Sequence, residues 1–181
     1  MSRRMEDLDK EFRIVAESIL KDCKGQGVIM KPFFTIRDPW EQAKLWRQSR
    51  TTQQIRSKAN SLRGGGAPFL ASVLENVGPQ SGKWVTNAIP GNSWHQWGLA
   101  LDCFVEENGK AVWRGKHHGY ALYARVAEAH GCVAGHNWHK RDSVHIQMPA
   151  VTSPRKIHTW KEIGAYNLER YAEDHYNSRG I

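Results

Sequence analysis

A chain of 181 residues is long enough to bury one hydrophobic core, and with 40% hydrophobic against 24% charged residues it is too apolar to be disordered. Lysine and arginine outnumber aspartate and glutamate by 26 to 18, which leaves +8 with histidine neutral and draws the surface toward polyanions, whether nucleic acid, anionic lipid or acidic cell-wall polymer. The excess is spread along the chain, so charge alone selects none of these, and no apolar stretch reaches the length of a membrane span.

In chain order, Phe12, Val15, Ala16, Ile19 and Leu20 recur at helical spacing and predict an amphipathic helix over about residues 7–23, ended by Gly25 and Gly27. Val28 to Ile36 is rich in β-prone residues and reads as a strand. Asp38-Pro39-Trp40-Glu41 has the form of a helix start, with Asp38 as N-cap and Pro39 at the first helical position. Residues 48–66 are polar and end in Gly64-Gly65-Gly66, so a mobile surface segment is expected there. Phe69, Leu70, Val73, Leu74 and Val77 mark a short helix stopped by Gly78-Pro79. Leu99–Val105 and Val144–Met148 read as strands. Between them Tyr120, Tyr123, Val126 and Ala127 mark a helix that Gly131 terminates. Thr159-Trp160-Lys161-Glu162 is a capping-box pattern opening a last helix.

No repeat and no linker divides the sequence, so one α+β domain over residues 1–181 is expected, with a core over about 7–150 and a helical extension over 151–181. Cys23, Cys103 and Cys132 form no C-x-x-C pair and leave one thiol over in any disulfide scheme, which fits a reducing compartment. The opening Met1–Asp7 has no apolar run behind its arginines, so synthesis in the cytoplasm without a secretory signal is the expectation.

The most informative stretch is Gly91-Asn92-Ser93-Trp94-His95-Gln96-Trp97-Gly98-Leu99-Ala100-Leu101-Asp102. Positions seven apart face opposite sides of a regular strand. His95 therefore belongs to a loop broken at Gly98, and Asp102 to the strand that follows. Along that strand Leu99, Leu101, Cys103 and Val105 share the core face, while Ala100, Asp102 and Phe104 share the other. A carboxylate inside an apolar strand needs a partner, and a metal ion is one.

In the second stretch, Trp138 to Met148, the apolar face takes Val144, Ile146 and Met148, leaving His145 and Gln147 opposite with Asp142 in the preceding loop. If the two strands adjoin, His95, Asp102 and His145 converge. Two imidazoles and one carboxylate form a catalytic zinc site with a fourth position for water. A carboxylate beside it, Asp142, then serves as general base.

These residues resemble the zinc D-alanyl-D-alanine carboxypeptidases and L-alanyl-D-glutamate endopeptidases, a family that includes vancomycin-resistance dipeptidases and phage endolysins. Its pattern S-x-H-x-x-G-x-A-x-D is matched by Ser93, His95, Gly98, Ala100 and Asp102. The later acidic residue three places before a second histidine is matched by Asp142 and His145, with Trp138 ahead of them. The upstream S-G-Y-R and glutamine resemble Thr35-Ile36-Arg37 and Gln42, with Thr35 and Ile36 replacing glycine and tyrosine. The following G-R resembles Ser49-Arg50, with serine in the glycine position.

The resemblance spans about residues 28–148. It implies the small α+β fold shared with Hedgehog signalling domains, an antiparallel sheet flanked by helices. It implies one zinc ion on His95, Asp102 and His145, with Asp142 as base. Arg37 would act on the scissile carbonyl or a substrate carboxylate, and Ser93 would touch substrate.

The implied substrate is a peptidoglycan stem peptide, cut at L-Ala–D-Glu or D-Ala–D-Ala. The expected partner set is that substrate alone, with no nucleic acid and no membrane insertion, and the chain is expected to be monomeric. Action at the bacterial cell wall after release, as in an endolysin, is the expected site. A non-catalytic zinc-stabilised binding module on the same fold is the competing reading. Outside the motif, His117, His118, His130, His136, His139, His158 and His175 show no ligand spacing and default to structural or exposed roles. Trp94, Trp97 and Trp138 read equally as cleft walls or as packing around the site.

Overall fold

A computed structural model of the chain describes residues 2–178, with side chains through residue 172. Among the described residues it contains six α-helices and one five-stranded sheet, the α+β class expected. The helices are α1 (Lys10–Gly25), α2 (Pro39–Arg47), α3 (Thr52–Gly64), α4 (Pro68–Asn76), α5 (His118–Ala129) and α6 (Trp160–Ser178). The strands are β1 (Ile29–Phe34), β2 (Ala100–Glu107), β3 (Lys110–Val112), β4 (Val133–Ala134) and β5 (His145–Gln147). The fold groups into two compact units, residues 1–36 with 97–150 and residues 37–96 with 151–181.

The first unit holds the sheet, in order β1-β2-β5-β4 with β3 also paired to β2 and every pairing antiparallel. Helix α1 starts where the Asp9 carboxylate accepts the N–H groups of Glu11 and Phe12. It ends before Gly27, whose φ of +81° provides the left-handed residue that closes a helix. Phe12, Ala16, Ile19 and Cys23 recur on one side of α1 and are buried with Tyr120, Tyr123 and Ala127 of α5. Both helices pack over the face of the sheet that carries Leu101, Cys103, Val105 and Ile146. The alternation foreseen for β2 holds, so Asp102 lies on the face away from this core.

The second unit is helical, with α4 packed against α2, α3 and α6. Asp38 caps α2 by accepting the Glu41 N–H at 2.8 Å. At the start of α6 the Thr159 hydroxyl accepts the Glu162 N–H, and the Glu162 carboxylate accepts the Thr159 N–H at 2.7 Å. Both starts were legible in the sequence.

Residues 48–66 contradict the expectation of a mobile segment, because Thr52–Gly64 is helix α3. Its N-terminus is a complete capping box, the Thr51 hydroxyl accepting the Gln54 N–H and the Gln54 side-chain Oε1 accepting the Thr51 N–H. Only Ile55, Ala59 and Leu62 are apolar and buried, at spacings of four and three on one face. So sparse a stripe is masked by the polar residues between, and the Thr-x-x-Gln cap was the signal that could have found it. Just before it, Ser49 holds φ at +60°, left-handed backbone that favours glycine, the residue the resembling pattern has at this position. Its hydroxyl donates to the Gly82 carbonyl at 2.6 Å.

Helix α3 should therefore contribute to global stability. Leu62→Ala is expected to lower the unfolding free energy by about 2–5 kcal/mol, as for other buried leucines. Urea unfolding followed by circular dichroism reads this, and an unchanged midpoint would show that 52–64 is not part of the packed structure.

Candidate metal centre

The site is built where the turn Trp94–Trp97 runs through Gly98 and Leu99 into β2. Gly98 has φ +71°, a conformation that L side chains resist, and its carbonyl accepts the Asp9 N–H at 3.0 Å. This is the break the sequence required between His95 and Asp102. The turn is closed by Gln96, whose N–H donates to the Ser93 carbonyl and whose Oε1 accepts the Ser93 N–H. Trp94 is buried, and its indole N–H donates to the Val151 carbonyl at 2.9 Å, a packing role.

On the sheet, Asp102 stands directly opposite His145. Backbone bonds run from Cys103 N–H to the Val144 carbonyl and from Met148 N–H to the Leu99 carbonyl. By alternation, the Asp102/His145 pair is the closer, non-hydrogen-bonded kind, with Cα atoms about 4.5 Å apart and side chains side by side. His145 Nδ1 lies 3.0 Å from Asp102 Oδ1. Both residues are buried, as is His95, and a donor atom from each of the three lies within 4.8 Å of the others.

Gln147, which strand alternation places on the same face as His145, completes the second side of the imidazole. Its Nε2 donates to the Pro149 carbonyl at 2.9 Å, which turns its Oε1 toward His145 Nε2 at 3.2 Å. With an acceptor oxygen on each side, the imidazole is satisfied by protons on both nitrogens; when the Nδ1 proton is lost, the Nε2 proton stays hydrogen-bonded to Gln147 and the Nδ1 lone pair is available to a metal. Ala100, directly across from Gln147, leaves room for that amide.

Asp142 is exposed on the loop leading into β5. Its N–H donates to the Gly135 carbonyl at 2.9 Å, and its carbonyl accepts the His145 N–H at 3.3 Å. Gly135 admits this loop by its lack of a side chain, since a Cβ there would meet the Asp142 carbonyl oxygen at 2.5 Å. Ser143 anchors the loop between His136 Nδ1, at 3.0 Å, and the Gly115 carbonyl. The Trp138 ring lies 5.1 Å from the His145 ring, against the site.

Burial alone would hold His145 neutral. The hydrogen bond and charge of Asp102, reinforced by Asp142 and Gln147, outweigh that and raise its pKa above the ordinary histidine value. Arg37 donates its backbone N–H to the His95 carbonyl and its Nη1 to Gln42 Oε1. Ser93 is half-buried at the start of the His95 turn. His139 is exposed.

The donor set fits a divalent metal by type, two imidazoles and a carboxylate, and by convergence. Fold and site together define an α+β protein with a candidate metal centre on the face of its sheet opposite α1 and α5. A family model described as VanY, D-alanyl-D-alanine carboxypeptidase, matches residues 5–131, and the chain belongs to that family. The matched span contains Arg37, Ser93, His95 and Asp102 and stops before Asp142 and His145. No curated protein matches the chain. Membership makes the chain a carboxypeptidase-type peptidase directed at peptidoglycan. No described helix is long and apolar enough to cross a membrane.

Two outcomes are expected of the centre. Because the metal must displace a proton that Asp102 helps retain on His145, divalent-metal affinity should rise with pH through and above the ordinary histidine range near 6.5. Competition titrations with a chromogenic chelator at about pH 6 and about pH 8 read this, and equal affinities would remove His145 from the ligand set. Gln147→Leu, which removes the acceptor at Nε2, should weaken metal binding about 10–100-fold. An unchanged dissociation constant in the same titration would show that Gln147 does not orient the imidazole.

Proposed function

We propose that the protein is a zinc-dependent peptidase that hydrolyses an amide bond in peptidoglycan stem peptides. The observation that carries the reading is the convergence of His95, Asp102 and His145 donor atoms, all buried, in a chain of the VanY family. One zinc ion held by these three supplies a Lewis acid that polarises the scissile carbonyl and brings the pKa of water down toward ~7. Asp142 takes the proton of the attacking water as its oxygen bonds to the carbonyl carbon. It then hands the proton to the departing amine nitrogen as the C–N bond breaks. The exposure of Asp142 beside buried His145 suits a group that exchanges protons with substrate. Gly135 and Ser143 hold its loop in place. In this reading Arg37, fixed to the His95 carbonyl and to Gln42, engages the scissile carbonyl or a substrate carboxylate, and Ser93 touches substrate from the same turn.

The family description favours the D-Ala–D-Ala bond, and L-Ala–D-Glu is the alternative that the signature residues share. The charge of +8 favours residence on acidic wall polymers, so the cell wall is the proposed site of action.

Asp142→Ala should keep its full complement of zinc and lose activity by about 10²–10⁴-fold. The check is bound zinc measured by elemental analysis, alongside mass spectrometry of digested peptidoglycan, whose product masses also name the bond. Zinc retention with undiminished cleavage would remove Asp142 from the mechanism. Zinc binding by the wild type with no cleavage of any stem peptide would overturn the enzymatic reading.

A further inference from the structure

The second unit contains a cavity of about 640 Å³ lined by none of the metal-site residues. Its volume falls within the range of about 300–1,000 Å³ seen for small-ligand sites. Three indoles line it, Trp46 on α2, Trp84 in the loop after α4 and Trp160 at the start of α6, together with the carboxamides of Gln53, Asn87 and Asn92. Lys58 and Arg50 are its cations, and no lining residue is acidic.

One wall of this cavity is locked in place. The Arg50 guanidinium lies 4.0 Å from the Trp46 ring centroid and 3.8 Å from that of Trp84, between the two rings. Its N–H groups donate to the carbonyls of Trp46, Gln48 and Thr86, the last at 2.7 Å. Arg50 thus ties an irregular loop to the end of α2 and holds Trp84 in a fixed orientation, while leaving that indole 51% exposed. Ser49 binds the same loop at Gly82. A large aromatic side chain held rigid by its neighbours, yet half open to solvent, is the arrangement of a ligand platform. Core packing would have covered it.

We propose that this cavity binds an N-acetylated amino sugar of the peptidoglycan glycan strand, at a site separate from the metal centre. Indole faces accept the C–H face of a pyranose ring. Carboxamides supply donor and acceptor together, as sugar hydroxyls and acetamido groups require. The absence of carboxylates from the lining, with Lys58 present, accommodates the anionic wall environment without being needed for a neutral sugar. The choice of sugar rests on the peptidoglycan reading above, whereas the existence of the platform does not.

The experiment is isothermal titration of the whole protein with chitotetraose, the β-1,4-linked N-acetylglucosamine tetramer, for the wild type, Trp84→Ala and Asn87→Ala. Saturable binding by the wild type is expected, weakened about tenfold or more by each substitution. Circular dichroism melting confirms that the variants are folded, and Trp84→Phe, which keeps a ring, should recover part of the binding. Failure of the wild type to bind at millimolar sugar would overturn the proposal, as would equal binding by folded Trp84→Ala. Binding of a polyphosphate but not chitotetraose, abolished by Lys58→Gln and by added salt, would reassign the cavity to polyanions. Cleavage of a sugar-free stem peptide by the wild type is scored separately, so loss of the sugar site and loss of the peptidase reading are told apart.

Discussion

The constraint on which the rest of the site depends is a carboxylate and an imidazole buried side by side on neighbouring strands. Asp102 and His145 face each other across β2 and β5, on the face of the sheet opposite α1 and α5. An isolated buried charge is expensive, so each group at this position must be satisfied. The nearby structure supplies the partners. Gly98, at φ +71°, breaks the backbone between the His95 turn and the strand, and Gly135 gives way to the Asp142 loop. Gln147, itself fixed by the Pro149 carbonyl, occupies the far nitrogen of His145.

Strand β2 serves two purposes by alternation. Leu101, Cys103 and Val105 lie under α1 and α5 and fix the strand rigidly, while Ala100, Asp102 and Phe104 point the other way. A ligand carried on the back of a packed strand gains its precision from the core beneath it. Burial on that core side pushes the Cys23 and Cys132 thiols up to about 11, and the Cys103 thiol higher still. The cysteines therefore remain protonated, as packing residues, and the metal-ligating chemistry is confined to the opposite face. β5 is only three residues long, yet it is sufficient, because one register position aligns His145 and the next same-face position aligns Gln147.

Much of this was legible in the sequence because it rests on short-range periodicity. A period of two placed Asp102 and His145 on the polar faces of apolar strands, and Asp38-Pro39 and Thr159-x-x-Glu162 announced their helices. Helix α3 was not legible. Its buried stripe is only Ile55, Ala59 and Leu62, and its polar remainder imitates a loop until it packs against α4. Alternation placed Gln147 on the His145 face, but its part in the site was not legible. Its part is defined by two hydrogen bonds, and a glutamine on a strand carries no such mark until its partners are known. The Trp84 platform combines both difficulties, since Arg50, Trp46 and Trp84 are brought together by a loop of irregular backbone.

The electrostatics of the buried pair explain why a metal is the natural occupant of the site. Burial disfavours charge on His145, while Asp102 disfavours its neutralisation, and the raised pKa records that Asp102 and its neighbours prevail. A protonated imidazole bound to a carboxylate satisfies the two groups. A divalent cation accepts the neutral imidazoles and the ionised carboxylate in the forms that burial and charge separately prefer. Exchanging one proton for such an ion would put His95, Asp102 and His145 on a single centre. Gln147 meanwhile keeps the Nε2 proton engaged in either state. The same amide hydrogen bond thus serves both forms, so metal can enter and leave without rebuilding the strand that holds its ligands.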